Sequence, residues 1–237
     1  MKNAEVRARI EEIGIIPGIR VSTPERARFA AEAVNRSGIP IAEITMTVPG
    51  AIDVITHLAK NLPEMVVGAG TVLDAEMARR CLDAGATFLT STGLVTEVVE
   101  FALKNDVVVF PGAMTPTEVI EAWEAGADFV KVFPCAELGG ERYIRALKLA
   151  LPQIPLIAAG GVNQQTAANY ILAGATAIGV GTELIPTEAI ERRQAKRIRE
   201  LALRFSGFVK EARERTEPKK TPVPVGKHAG IEECEKK

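Results

Sequence analysis

Short apolar runs alternate along this chain with longer stretches whose apolar positions recur every three to four residues. The short runs fall at 15–20, 41–45, 65–69, 87–91, 107–110, 128–133, 156–159 and 177–180, and their length and β-branched content predict strands. Segments 24–36, 75–84, 96–104, 116–125 and 165–173 carry helical spacing, as does 52–60. Each strand returns after roughly 20–30 residues, the length of one strand–helix unit. Eight such units in a single run predict an α/β fold, a (β/α)8 TIM barrel in a single domain, with helices outside a closed parallel sheet. The competing architecture, a doubly wound open sheet, needs fewer strands or an edge, and no Gly-x-Gly-x-x-Gly opens the first helix.

The punctuation between elements agrees. Gly85, Gly126 and Gly174, each inside an Ala-Gly-Ala, suit the left-handed position that ends a helix before the next strand. Ser22 or Thr23 before Pro24, and Thr115 before Pro116, read as N-caps followed by proline in the first turn. Residues 187–215 read as one or two charged closing helices. The expected division is therefore a barrel over 1–215, with an N-terminal helix and C-terminal closing helices, and a mobile tail over 216–237 that carries His228.

Charge and composition narrow the function. Lys plus Arg is 29 against 30 for Asp plus Glu, a net charge of -1, so no nucleic-acid or membrane partner is expected. No apolar run reaches the roughly 20 residues of a membrane span. Cys81, Cys135 and Cys234 show no metal-ligand spacing and fit free thiols in a reducing cytoplasm. No metal is expected without a His, Cys and carboxylate cluster. His57 reads as a surface or packing histidine, Trp123 as part of an apolar helix face, and Cys135 as a small filler with no histidine to activate it.

The chemistry concentrates at Lys131, alone in the apolar run Phe129-Val130-Lys131-Val132-Phe133-Pro134. Alternation puts Phe129, Lys131 and Phe133 on one face and Val130 and Val132 on the other, and neither face reads as solvent. Removing an ammonium from water is costly, and a neutral amine is a nucleophile for a carbonyl carbon. Glu43 shares a face with Ile41 and Thr45 on the second predicted strand, which stands across the bore from the sixth. The two side chains are placed to meet, as a self-satisfied ion pair or as a functional site. Gly160-Gly161 and Gly179-Val180-Gly181-Thr182 follow the seventh and eighth strands, where barrels often hold phosphate on backbone N–H groups.

Five ordered motifs carry a resemblance to a known family. They are Glu-Ile-Thr-x-Thr-Val-Pro at 43–49, Val-Gly-Ala-Gly-Thr-Val at 67–72, Phe-Pro-Gly-x-Met-Thr-Pro at 110–116, Val-Lys-Val-Phe-Pro at 130–134 and Gly-Gly-Val at 160–162. From about residue 15 to residue 186 the chain resembles the KDPG/KHG aldolases, class I enzymes acting on 2-keto-3-deoxy-6-phosphogluconate and 4-hydroxy-2-oxoglutarate. The resemblance implies a cofactor-free homotrimeric barrel that releases pyruvate and an aldehyde, glyceraldehyde 3-phosphate or glyoxylate. It implies Lys131 as the Schiff-base lysine, Glu43 as the acid/base residue, Thr71 at the pyruvate carboxylate and Phe133 as an aromatic beside the lysine. Gly160, Gly161 and Thr182 fall at phosphate-binding positions. Thr47 stands where well-studied members carry an arginine that grips the carboxylate, and Arg20 is placed to supply that charge. Thr92 and Ala159 also depart from the usual proline and threonine. Two further readings stay open: a phosphate-binding barrel isomerase or synthase using Lys131 and Glu43 as a plain acid/base pair, and a non-catalytic trimeric scaffold.

Overall fold

A computed structural model describes residues 1–216. The tail expected beyond the closing helices, with His228 and Cys234, lies outside the described residues apart from Thr216.

Nine strands form one parallel sheet: β1 (Ile15–Ile19), β2 (Ile41–Thr45), β3 (Val66–Gly70), β4 (Phe88–Thr90), β5 (Val108–Phe110), β6 (Gly112–Ala113), β7 (Val130–Val132), β8 (Leu156–Ala159) and β9 (Ala177–Val180). Their order is β5-β4-β3-β2-β1-β9-β8-β7-β6, a ring that begins and ends on adjacent segments. β5 and β6 are two halves of a single stave broken at Pro111, which has no N–H to give. Its carbonyl still accepts from Lys131 N–H at 2.9 Å, and Asp128 N–H donates to Val109 O at 2.9 Å. Nine strands thus make the eight staves the pattern predicts. The fifth runs further than the expected 107–110, and the sixth is shorter than the expected 128–133.

The helices are α1 (Asn3–Ile13), α2 (Pro24–Asn35), α3 (Ala51–Asn61), α4 (Ala75–Asp83), α5 (Thr96–Lys104), α6 (Pro116–Glu124), α7 (Glu141–Ala150), α8 (Ala167–Leu172), α9 (Thr187–Glu191) and α10 (Ala195–Thr216). Thr23, rather than Ser22, caps α2, its hydroxyl accepting from Arg26 N–H at 3.3 Å. Thr115 caps α6 reciprocally with Glu118. Gly85, Gly126 and Gly174 take φ of 98°, 99° and 104°, as their positions require. The closing segment is two helices, α9 and α10. None of the described helices is long and apolar enough to cross a membrane.

Alternation along the strands sorts the core into two clusters. Outward residues such as Ile44, Val67, Val130, Val132 and Ile178 pack beneath the surrounding helices. Inward residues form a separate cluster in the bore, with Phe88, Phe110 and Phe129 at its centre and Val6 and Ile10 of α1 closing one end. The Phe88 and Phe110 rings stack at 5.1 Å, and Phe110 meets Phe129 edge-on at 6.1 Å. Fully burying one such side chain is worth about 1.5–3 kcal/mol. Arg213 of α10 holds α1 over the bore by donating to the carbonyls of Glu11, Glu12 and Thr176.

Candidate active site

Above the aromatic plug the bore turns polar. Phe129 and Lys131 both face inward, two residues apart on one stave. Lys131 Nζ stands 3.5 Å from Glu43 Oε1, and each residue is only 7% exposed. The Nζ also lies 5.6 Å from the centre of the Phe133 ring, within cation–π range. The two charges from opposite walls thus meet directly.

Glycines make the room. Glu43 is registered against Gly18 on β1 and Gly68 on β3, while Lys131 is registered against Gly112 on β6. A Cβ at Gly70 would overlap the Glu43 carboxylate, so only glycine there leaves that side chain its position. Gly18, Glu43 and Lys131 line a cavity of ≈ 480 Å³ at the C-terminal ends of the strands, the end at which such barrels carry their chemistry.

Seven of the nine residues singled out from the sequence line this cavity: Arg20, Glu43, Lys131, Phe133, Gly160, Gly161 and Thr182. Thr47 and Thr71 are not among its lining. Thr47 is exposed and sits one hydroxyl behind the wall. Thr45, which does line the cavity, donates its proton to Ile19 O at 3.1 Å, so Thr47 is the donor in the 2.9 Å bond between the two hydroxyls. Thr71 follows Gly70 in the left-handed region at φ 61°, a strained conformation for a β-branched residue.

Gly160 and Gly161 have φ of 87° and 76°. Their loop is tied to the exit of Lys131's strand: Cys135 N–H donates to Ala159 O at 2.7 Å and Ala136 N–H to Gly160 O at 3.0 Å. Cys135 itself is buried, and burial pushes its thiol up to about 11, which suits packing rather than reaction. His57 lies on α3, outside the cavity, 3.7 Å from Glu32. Trp123 packs partly buried against the outer core.

A sequence model described as KDPG and KHG aldolase matches residues 6–201. This chain belongs to the KDPG and KHG aldolase family. The KHG/KDPG aldolase of Escherichia coli (strain K12) is 31% identical over 189 residues, 79% of this chain and 88% of the relative. A KDPG aldolase from Legionella pneumophila, solved with pyruvate captured as a covalent carbinolamine, superposes with a TM-score of 0.78 at 30% identity, covering 84% of this chain and 96% of that one. A cube-shaped protein cage designed by fusing symmetric oligomeric domains gives a TM-score of 0.79 at 30% identity, covering 87% of this chain and 75% of the cage chain.

For this member of the aldolase family, the cavity also has walls that strand periodicity does not reveal. Asn163 and Glu183 line it from the loops after β8 and β9. No repeat of two or of 3.6 runs through such loops, so only proximity in the fold brings these residues forward.

Proposed function

We propose that the chain is a class I aldolase that reversibly cleaves a 2-keto-4-hydroxy acid, the class containing 2-keto-3-deoxy-6-phosphogluconate and 4-hydroxy-2-oxoglutarate, into pyruvate and an aldehyde. The observation that carries this reading is the buried 3.5 Å pairing of Lys131 with Glu43 at the wall of an open cavity, in a chain of this family.

The Lys131 amine attacks the C2 ketone and forms a carbinolamine, which loses water to give an iminium. The iminium draws electrons from the C3–C4 bond. Glu43, directly or through a water, takes the C4 hydroxyl proton, the bond breaks, and the aldehyde departs. The enamine left on Lys131 is protonated at C3 by Glu43, and water returns to C2 to release pyruvate and the free amine. The Phe133 ring face favours the positive iminium. Among the described residues Arg20 carries the one guanidinium on the cavity wall and serves the keto-acid carboxylate, while Thr47 and Thr71 follow β2 and β3 outside the lining. Gly160, Gly161 and Thr182 border the distal end of the substrate.

Borohydride reduction in the presence of pyruvate, followed by peptide mass mapping, tests this. A stable three-carbon adduct on Lys131 is expected; no adduct, or one on another lysine, sinks the assignment. Glu43→Gln is expected to slow cleavage by about 10²–10⁴-fold while still trapping pyruvate. The working form is assigned as a homotrimer in the cytoplasm, with 1–215 as one barrel domain and 216–237 as an appended tail. Likeness to a cage built of symmetric oligomeric domains supports the assembly, and light scattering reads it directly.

A further inference from the structure

We infer that Ala136 is a positioning residue for acceptor binding: with Cys135 it holds the Gly160–Gly161 loop so that both glycine N–H groups face the phosphate-bearing end of the aldehyde. This rests on the aldolase reading above and deepens it, by naming what fixes a binding loop that has no side chain of its own.

A pair of glycines binds an anion well only while something keeps its amides aimed, since glycine loses more conformational freedom on ordering than any other residue. The Gly181–Thr182 loop holds itself, Leu184 and Ile185 N–H both donating to Gly181 O at 3.0 Å. Among the described residues no such bond closes Gly160–Gly161 within its own turn. The carbonyls there are held instead by the strap that follows the Lys131 strand. Ala159 O accepts from Cys135 N–H at 2.7 Å, and Gly160 O from Ala136 N–H at 3.0 Å.

Those two bonds fix where the donors point. In a trans peptide the carbonyl and the next N–H lie on opposite sides, so the N–H groups of Gly160 and Gly161 are directed away from the strap. Gly160 and Gly161 line the cavity, whereas Cys135 and Ala136 do not. Among the described residues neither glycine N–H has a backbone acceptor, which leaves both donors for a ligand.

Ala136 also sets how closely the strap and the loop approach. Gly161 has φ 76°, and a Cβ there would overlap the Ala136 methyl. A Cβ at Gly160 would stand 2.9 Å from Pro134 Cα. The two segments are therefore packed together with no room for a side chain between them. The strap begins at Phe133, whose ring lies beside the Lys131 amine. The lysine and the distal-end loop are thus joined through Cys135 and Ala136, two residues outside the cavity lining.

The test is aldol addition of pyruvate to D-glyceraldehyde 3-phosphate and to D-glyceraldehyde. Rates are expressed per borohydride-trapped pyruvate adduct on Lys131, so that misfolded protein is not counted. The wild type is expected to favour the phosphorylated acceptor. Ala136→Gly is expected to raise KM for that acceptor by about three- to tenfold, with kcat and the KM values for D-glyceraldehyde and pyruvate held within about twofold. Gly161→Ala is expected to raise the same KM by about tenfold or more. Adding Ala136→Gly to Gly161→Ala should recover at least about threefold of that loss, because the colliding methyl is gone. A merely structural role for Ala136 would weaken both acceptors alike. Equal use of the two acceptors by the wild type overturns the inference. So does an unchanged or uniform KM in Ala136→Gly, or a double variant no better than Gly161→Ala. Where Gly161→Ala yields no folded protein, Ala136→Gly decides alone. Absence of the wild-type adduct brings down the aldolase reading and this inference together, whereas an adduct without the shift in acceptor KM brings down this inference only.

Discussion

The same staves line a filled half of the bore and an open half. Toward α1, the inward positions are Ile16, Ile41, Val66, Phe88, Val108, Phe110, Phe129 and Ile157, and they close into a dry core. One pleat further along, several inward positions are Gly18, Gly68, Gly112 and Gly179, and the two large inward side chains among them are charged. The Phe88 ring marks the border, occupying the space a side chain at Gly68 would need. Stability comes from bulk at one level, and reactivity from the removal of bulk at the next. A lysine and a glutamate survive burial together because each partly offsets the other's desolvation.

Substitutions at the two levels should therefore fail in different assays. The largest effect is expected for Lys131→Met, which removes the nucleophile. Cleavage should fall by about 10⁴-fold or more, with the borohydride adduct lost and the circular dichroism spectrum of the barrel retained. Gly70→Ala comes next. Its methyl displaces the Glu43 carboxylate, and a misplacement of about 1 Å costs on the order of 10²-fold in rate. Steady-state kinetics with unchanged pyruvate trapping would place that loss in proton transfer.

Phe129→Ala reverses the pattern. It should cost about 3–5 kcal/mol in denaturant unfolding, with kcat per folded molecule changed little. A larger loss of turnover than of stability would erase the distinction between the halves. Arg213→Met, at the clamp on α1, should lower stability by about 1–3 kcal/mol and leave acceptor selectivity alone. The smallest signal is chemical. Burial pushes the Cys81 and Cys135 thiols up to about 11, so at pH 8 only on the order of one in a thousand is the reactive thiolate. Mass-mapped alkylation of these two residues should be slow in the native protein, rise with pH, and become rapid on unfolding.

Much of the fold was legible because its signals are periodic. Alternation placed Phe129, Lys131 and Phe133 on one face, and eight regularly spaced units implied a ring in which Lys131 and Glu43 stand across from each other. Pro111 misled at a boundary. A proline reads as the end of a strand, yet its carbonyl stays in the ladder, and the stave resumes at Gly112. The role of α1 was not legible, since Val6 and Ile10 in a charged segment give no sign that they cap a barrel. Glu183 was missed for the same reason as Asn163: a loop residue's relevance depends on what the fold brings beside it.

The sequence by itself determined the barrel, the residues that share a face with Lys131 and with Glu43, and that this lysine and this glutamate are placed to meet across the bore. These follow from local rules: a two-residue period, helix caps, and the cost of burying a charge without a partner. Only the tertiary structure decided which glycines leave room for neighbouring side chains rather than make turns, that Thr47 and Thr71 stand back from the cavity wall, and that Asn163 and Glu183 line it. Those facts depend on distances between residues far apart in the chain, which local chemistry does not specify.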